Sequence, residues 1–296
     1  MWQPVTVPFY HSQPLPTLPT IDEIHACTNI LGKTSATKVV AVNEDIVVKY
    51  GRRVDVWEGQ ALVYLEQCAP EVPAPRLYAM YYDDSEKFYL IMQRVPGVQL
   101  DSVWTSLAES EKDDIVTKLQ VIFDTMRKVE CPDPNFFGSL DGGSVHNFLF
   151  FSQKGDRVYL GPFFNESAFI AGLVGNYRTL VEQQNKPDYK ARFYEKYLAA
   201  VLQGHQPVLT HGDVQQKNIM VAETGCLNHQ GGRSFDVALV DWESSGWFPG
   251  YWEFFTASWP LHFAWDEDWS WRVQDFLPVY PAEMAVMQQI DRDLGY

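Results

Sequence analysis

Apolar residues in the first third of the chain come in short β-branched or aromatic runs, and further on they recur at helical spacing. Val39-Val40-Ala41-Val42 and Ile46-Val47-Val48-Lys49-Tyr50 bracket the polar Asn43-Glu44-Asp45, a pattern that predicts a hairpin with Lys49 near the end of its second strand. Residues 78–82 and 88–92 form a second such pair around Asp83-Asp84-Ser85-Glu86. Between the pairs, residues 55–68 carry Trp57, Ala61, Leu62 and Leu65 on one helical stripe, with Glu58 near its edge. Thr20 and Glu23 make a capping-box pattern that predicts a short helix over residues 21–30. Pro96-Gly97 then breaks the pattern, and the lobe boundary is expected there: an extended arm over residues 1–20, a strand-rich lobe over 21–95 and a helical lobe over 96–296. In the last of these, Ile115, Leu119, Ile122, Met126 and Val129 share one face of a helix capped by Ser110 and stopped by Pro132. Phe169, Leu173, Tyr177 and Leu180 line another, and Phe193, Tyr197 and Val201 a third that ends at Gly204. Residues 226–236 read as a loose hairpin tip, and the chain beyond Tyr251 as tryptophan-rich helix broken by Asp266-Glu267-Asp268.

Composition narrows the function classes. A chain of 296 residues with 46% apolar and 15% aromatic content buries a substantial core. Its formal charge of -15 opposes a nucleic-acid or anionic-membrane partner, since no basic patch interrupts it. Cys27, Cys68, Cys131 and Cys226 are scattered without metal-ligand spacing and are expected to be reduced, buried and inert. The first 20 residues hold five prolines and no basic residue ahead of an apolar core, so they are not read as a secretory signal. No run reaches the roughly 20 apolar residues of a membrane span. An intracellular, cytoplasmic protein is expected.

Candidate chemistry concentrates in residues 207–221. Val208-Leu209 and Ile219-Met220-Val221 bracket the polar loop that carries His211-Gly212-Asp213 and Asn218, so both side chains are presented on a turn held by strands. A further apolar run, Val237-Ala238-Leu239-Val240, ends in Asp241. Carboxylate and amide oxygens at strand ends suit a hard cation such as magnesium. Each residue also has a plain structural reading. Asp and Asn cap turns, a strand lysine is often solvated, and Glu58 could sit on a solvated helix face.

The combination resembles the aminoglycoside phosphotransferase and choline kinase-like family, of protein kinase-like fold. The motifs that carry it are His211-Gly212-Asp213 with Asn218 five positions on, Val240-Asp241-Trp242-Glu243, and Ile91-Met92-Gln93-Arg94-Val95-Pro96-Gly97 in the place of the hinge. The resemblance covers residues 30–265 and implies an α+β, bilobal fold with a small antiparallel N-terminal lobe and a larger, mainly helical C-terminal lobe. It implies an ATP-dependent phosphotransferase that moves the γ-phosphate to a hydroxyl of a small molecule. Lys49, fixed by Glu58, would hold the nucleotide phosphates. Met92, Gln93 and Val95 would meet adenine through backbone groups, Asn218 and Asp241 would ligate Mg2+, and Asp213 would orient the acceptor hydroxyl and take its proton late. His211 would brace the loop.

Two departures stand out. Residues 32–38, expected over the phosphates, hold one glycine, so their grip would come from Ser, Thr and backbone amides, and Gln215-Gln216-Lys217 differs from the usual filling between Asp and Asn. No long peptide-seating segment follows Asp241, which favours a small acceptor. Glu253, Asp266, Glu267 and Asp268 with neighbouring tryptophans could surround a cationic one, although an acidic protein with core tryptophans gives the same pattern. The alternative is a catalytically silent kinase-like module that binds nucleotide or docks a partner.

Overall fold

The computed structural model describes residues 1–12, 15–150, 159–258 and 267–294. In chain order the elements are β1 (Phe9–Tyr10), α1 (Ile21–Ala26), β2 (Ile30–Lys33), β3 (Thr37–Ala41), β4 (Ile46–Gly51), α2 (Val56–Cys68), β5 (Leu77–Tyr82), β6 (Phe88–Gln93) and β7 (Val98–Gln99). Helices α3 (Glu109–Arg127), α4 (Glu166–Gln183), α5 (Tyr189–Tyr197) and α6 (Ala199–Leu202) follow. Then come β8 (Pro207–Thr210), β9 (Ile219–Leu227), β10 (Arg233–Leu239), β11 (Gly246–Pro249), α7 (Trp252–Ser258), α8 (Trp269–Phe276) and α9 (Pro281–Leu294). Contacts divide the chain into two compact units. One holds Gln3–Glu111 and Gln216–Glu243, the other Met1–Trp2, Lys112–Gln215 and Ser244–Tyr296.

The first unit is built on an antiparallel six-stranded sheet of order β1-β5-β6-β4-β3-β2. Alternation along β4 sends Ile46, Val48 and Tyr50 into a core with Ile24, Val40, Tyr89 and Ile91. Lys49 therefore points to the opposite face. The register pairs Lys49 with Leu90, and Leu90 with Met80, so these three side chains share that face. Helix α2 lies on it, and Gly59 is what lets it come close, since a Cβ there would stand 2.7 Å from Met80 Sδ and 2.8 Å from Leu90 Cδ1. The same unit carries the β10-β9-β7 sheet. Gly97, at φ +96, sits where a side chain would collide with the Val221 carbonyl, which is why the Pro-Gly break accepts no larger residue there.

The second unit is helical around the β8–β11 pair. Its core gathers Phe137, Phe150, Phe169, Leu173, Phe248, Trp252, Phe255, Met287 and Ile290 from α4, β11, α7, α9 and the connecting loops. No helix among the described residues is long and apolar enough to cross a membrane.

Several local expectations need correction. The helix predicted over residues 21–30 stops at Ala26, because Ile30 enters β2. Helix α3 begins at Glu109, so Ser110 is inside its first turn and not its cap. The hairpin tip expected at 226–236 is there but shorter, since β9 runs to Leu227 and β10 starts at Arg233, and a register shift between Arg233 and Phe235 interrupts the ladder. The polar loop expected over residues 32–38 is shorter, because β2 runs to Lys33 and β3 starts at Thr37, and in the turn between them Thr34 Oγ1 accepts from the amides of Ala36 and Thr37. The four thiols are free as expected but not buried: Cys68 and Cys226 are exposed and Cys27 and Cys131 half-buried.

Candidate active site

In the first unit the sheet and α2 bring together residues that the sequence separates by nearly 200 positions. Asp55 caps α2 by accepting from the Trp57 amide, which fixes the first helical turn and with it Glu58. Glu58 Oε2 lies 2.6 Å from Lys49 Nζ. The β9–β10 ladder pairs Ile219 with Leu239, so the residues just outside it meet too, and the Val240 amide donates to the Asn218 carbonyl at 2.9 Å. Trp242 is fully buried and its indole N–H donates to the Leu239 carbonyl at 2.9 Å, pinning the chain after the strand. Between these anchors Asp241 takes φ +67, a left-handed conformation that aspartate tolerates better than most residues. Its Oδ1 lies 2.7 Å from Lys49 Nζ, and Glu243 Oε2 lies 3.1 Å from it.

Lys49 is thus held by three carboxylates. Burial alone would lower its pKa, but the fields of Glu58, Asp241 and Glu243 outweigh burial and hold it above the ordinary lysine range. Burial pushes the Glu58 carboxyl up to about 7 against the pull of Lys49, and the charges of Asp241 and Glu243 add to the rise. Glu58, Asp241 and Glu243 each place an oxygen within 4.8 Å of the others, a donor set that fits a hard divalent cation. Asn218 is buried at the foot of the same hairpin. Glu243 stands in the Val240-Asp241-Trp242-Glu243 motif, but the sequence assigns it no role of its own, and its position two residues after Asp241 is the available signal.

Met92 and Gln93 end β6, an interior strand of the sheet, and Val95 follows it. Met92 pairs with Val47 and Gln93 with Ile46, while the amides of Gln93 and Arg94 donate to the carbonyls of Arg76 and Asp45. Met92 is buried, Gln93 exposed and Val95 half-buried.

Asp213 belongs to the second unit, just after β8. Its amide donates to His211 Nδ1 at 3.2 Å, so the histidine braces the loop, and Gln215 Nε2 donates to Asp213 Oδ1. Gly212 takes φ +83, and a side chain there would collide with the Ser244 carbonyl. Beneath the loop lies Glu253, in the wholly buried helix α7. Its carboxylate accepts from the amides of His211 at 2.7 Å and Gly212 at 3.1 Å. The expectation that Glu253 helps surround a cationic acceptor is therefore corrected: its oxygens hold the loop from inside. Asp268 is ion-paired to Lys112 at 3.0 Å, Glu267 is exposed, and Asp266 lies outside the described residues.

Burial raises the Glu253 carboxyl to about 7, although the His211 and Gly212 amides and Arg127 favour its charged form; Asp213 adds to the rise. A carboxyl whose folded pKa exceeds its unfolded value contributes most stability below the unfolded pKa and loses it as pH rises through the folded one. For Glu253 that window runs from the ordinary glutamate value of 4.5 to about 7. Glu253→Gln is expected to flatten the fall in stability across that window by roughly 3 kcal/mol, read as the melting temperature against pH.

The model of the phosphotransferase enzyme family matches residues 56–284, and the chain belongs to that family. No curated protein matches it in sequence. Its fold is similar to that of the thermostable mutant of aminoglycoside phosphotransferase APH(4)-Ia in its apo form. There the TM-score is 0.57 at 14% identity, covering 93% of this chain and 90% of that one. ADP-bound APH(2'')-Ib gives 0.56 at 16% identity, covering 90% and 85%. The streptomycin–ATP–APH(2")-IIa ternary complex gives 0.54 at 17% identity, again covering 90% and 85%. The chain is therefore α+β with the kinase-like fold of those enzymes.

Proposed function

We propose that this phosphotransferase moves the γ-phosphate of ATP to a hydroxyl of a small molecule. The observation that carries the proposal is the gathering of Glu58, Asp241 and Glu243 around Lys49, in a chain whose fold is similar to that of ADP-bound APH(2'')-Ib. Lys49 is the group for the nucleotide phosphates, and Glu58 keeps it in place. Asn218 and Asp241 would hold magnesium, with Glu243 as a further oxygen donor, and the ion would supply charge neutralisation of the phosphates. The Gln93 and Arg94 amides are already bonded within the sheet, so adenine contacts fall to the carbonyls of this stretch and to Val95. Asp213, held by His211 and Gln215 on a loop fixed by Glu253, orients the acceptor hydroxyl and receives its proton late. A carboxylate is too weak a base to ionise an alcohol beforehand.

A small acceptor is favoured because only a single turn and β11 separate Asp241 from α7, too little chain to seat a peptide. Relatives of this fold have been captured with streptomycin and with gentamicin, which are polyhydroxylated. Incubation with Mg-ATP and a metabolite extract should make one species gain the mass of a phosphate. Absence of ATP turnover with every member of a panel of sugars, amino sugars and amino alcohols would leave a nucleotide-binding module without transfer.

A further inference from the structure

We propose that the N-terminal arm, residues 3–11, is a positioning element for the Lys49–Glu58 pair and acts through Gln60; the inference rests on the nucleotide-binding role proposed above for that pair. Helix α2 is buried without a break from Trp57 to Leu65. A helix lying on one face of a sheet ordinarily keeps a polar outer side, so something must cover this one. Within this unit the arm supplies part of the cover. Gln60 is 5% exposed, and its side-chain amide satisfies both main-chain groups of Val5. Nε2 donates to the Val5 carbonyl at 2.8 Å, and Oε1 accepts from the Val5 amide at 2.9 Å.

The arm is fastened again further along. His11 Nε2 lies 3.1 Å from both oxygens of Glu66, near the other end of α2, and Arg76 Nε donates to Glu66 at 3.0 Å. The His11 amide donates to the Tyr78 carbonyl, and β1 pairs with β5, Phe9 opposite Met80 and Tyr10 opposite Ala79. One short segment thus ties both halves of α2 to the edge of the sheet that contains β4.

Residues 58 and 60 are about 200° apart around a helix, so Gln60 faces the arm while Glu58 faces the lysine. Gly59 sets α2 against Met80 and Leu90, and the arm is bonded to the helix about a quarter-turn round, at Gln60, and again at Glu66. A slide of α2 by even an ångström would open the 2.6 Å contact between Glu58 and Lys49. Gln60 and the main chain of Val5 are therefore positioning groups: they touch no phosphate and act through the helix on Glu58.

The test is a double-mutant cycle on the full chain, with Mg-ATP as the probe. Gln60→Met keeps the side-chain volume and removes both hydrogen bonds. It is expected to weaken ATP affinity about three- to tenfold, raise KM more than it lowers kcat, and speed hydrogen exchange across α2. Glu58→Gln should weaken binding by itself, and adding Gln60→Met to it should change affinity by less than about twofold, since both changes act on one contact. Val5→Pro removes the donor from the arm side without touching the core, should weaken affinity in the same direction, and decides the matter if Gln60→Met does not fold. Independent, additive effects of the two substitutions, or unchanged affinity in Gln60→Met or Val5→Pro while Glu58→Gln weakens it, would overturn the positioning role alone. Unchanged affinity in Glu58→Gln would overturn the nucleotide role of the pair and the inference with it.

Discussion

Asp213→Asn is expected to leave Mg-ATP affinity nearly unchanged and to lower the rate of phosphate transfer by about 10²- to 10⁴-fold, the range a positioned acid-base group contributes. The substitution keeps the shape of the side chain, and Asn Oδ1 can still accept from Gln215 Nε2, as Asp213 Oδ1 does. The Asp213 amide still has His211 Nδ1, and the loop below is still fixed by Glu253 through the amides of His211 and Gly212. What disappears is the negative charge that aligns a hydroxyl proton and finally receives it. Rapid-quench measurement of phosphorylated product, beside equilibrium titration of Mg-ATP, separates the two quantities. Equal loss of binding and turnover would mean that Asp213 serves the fold of the loop and not the transfer. Full activity in the variant would remove it from the reaction.

Much of the site was legible because its residues occupy positions that local patterns already constrain. A lysine at the end of a β-branched run followed by a helix with an edge glutamate has few ways to pack, and Lys49 and Glu58 meet as that pattern implied. Asn218 and Asp241 flank two apolar runs of similar length. Antiparallel pairing of those runs brings the flanking residues together, as the bond from the Val240 amide to the Asn218 carbonyl confirms.

Tertiary cover was not legible. Glu253 reads as one more acid in an acidic chain, and only its neighbours Trp252, Phe254 and Phe255 hint that it lies inside, where two amides need an acceptor. The proline-punctuated arm shows no periodicity, since it is held by main-chain bonds to one glutamine and to a strand edge, and such bonds leave no mark in side-chain spacing. The strand ends inside residues 32–38 are hidden for a related reason. Polar composition does not separate an open loop from a two-strand turn whose threonine caps its own amides.

The remaining large effect concerns charge. Lys49→Met is expected to reduce Mg-ATP affinity by at least about 10²-fold and to destabilise the protein by about 3–5 kcal/mol, the cost of leaving a buried partner charge unpaired. Both effects come from one change of sign. With the lysine present, one cation stands among three carboxylates; without it, Glu58, Asp241 and Glu243 face one another within 4.8 Å and repel an incoming triphosphate. Glu58 responds most, because burial already pushes its carboxyl up to about 7 even beside the lysine. In the variant that pKa rises further, so the folded state keeps the proton over a wider range than the unfolded chain, whose Glu58 titrates near the ordinary glutamate value of 4.5. The stability deficit of Lys49→Met should therefore be smallest below that value, grow as pH rises through 7, and be measurable by denaturant titration at a series of pH values. A divalent cation adds a second reading. If the three oxygens form a cation site, millimolar magnesium should restore part of the lost stability in the variant without restoring ATP affinity, whereas a stability deficit that ignores both pH and magnesium would show that Lys49 is held by packing and not by these charges.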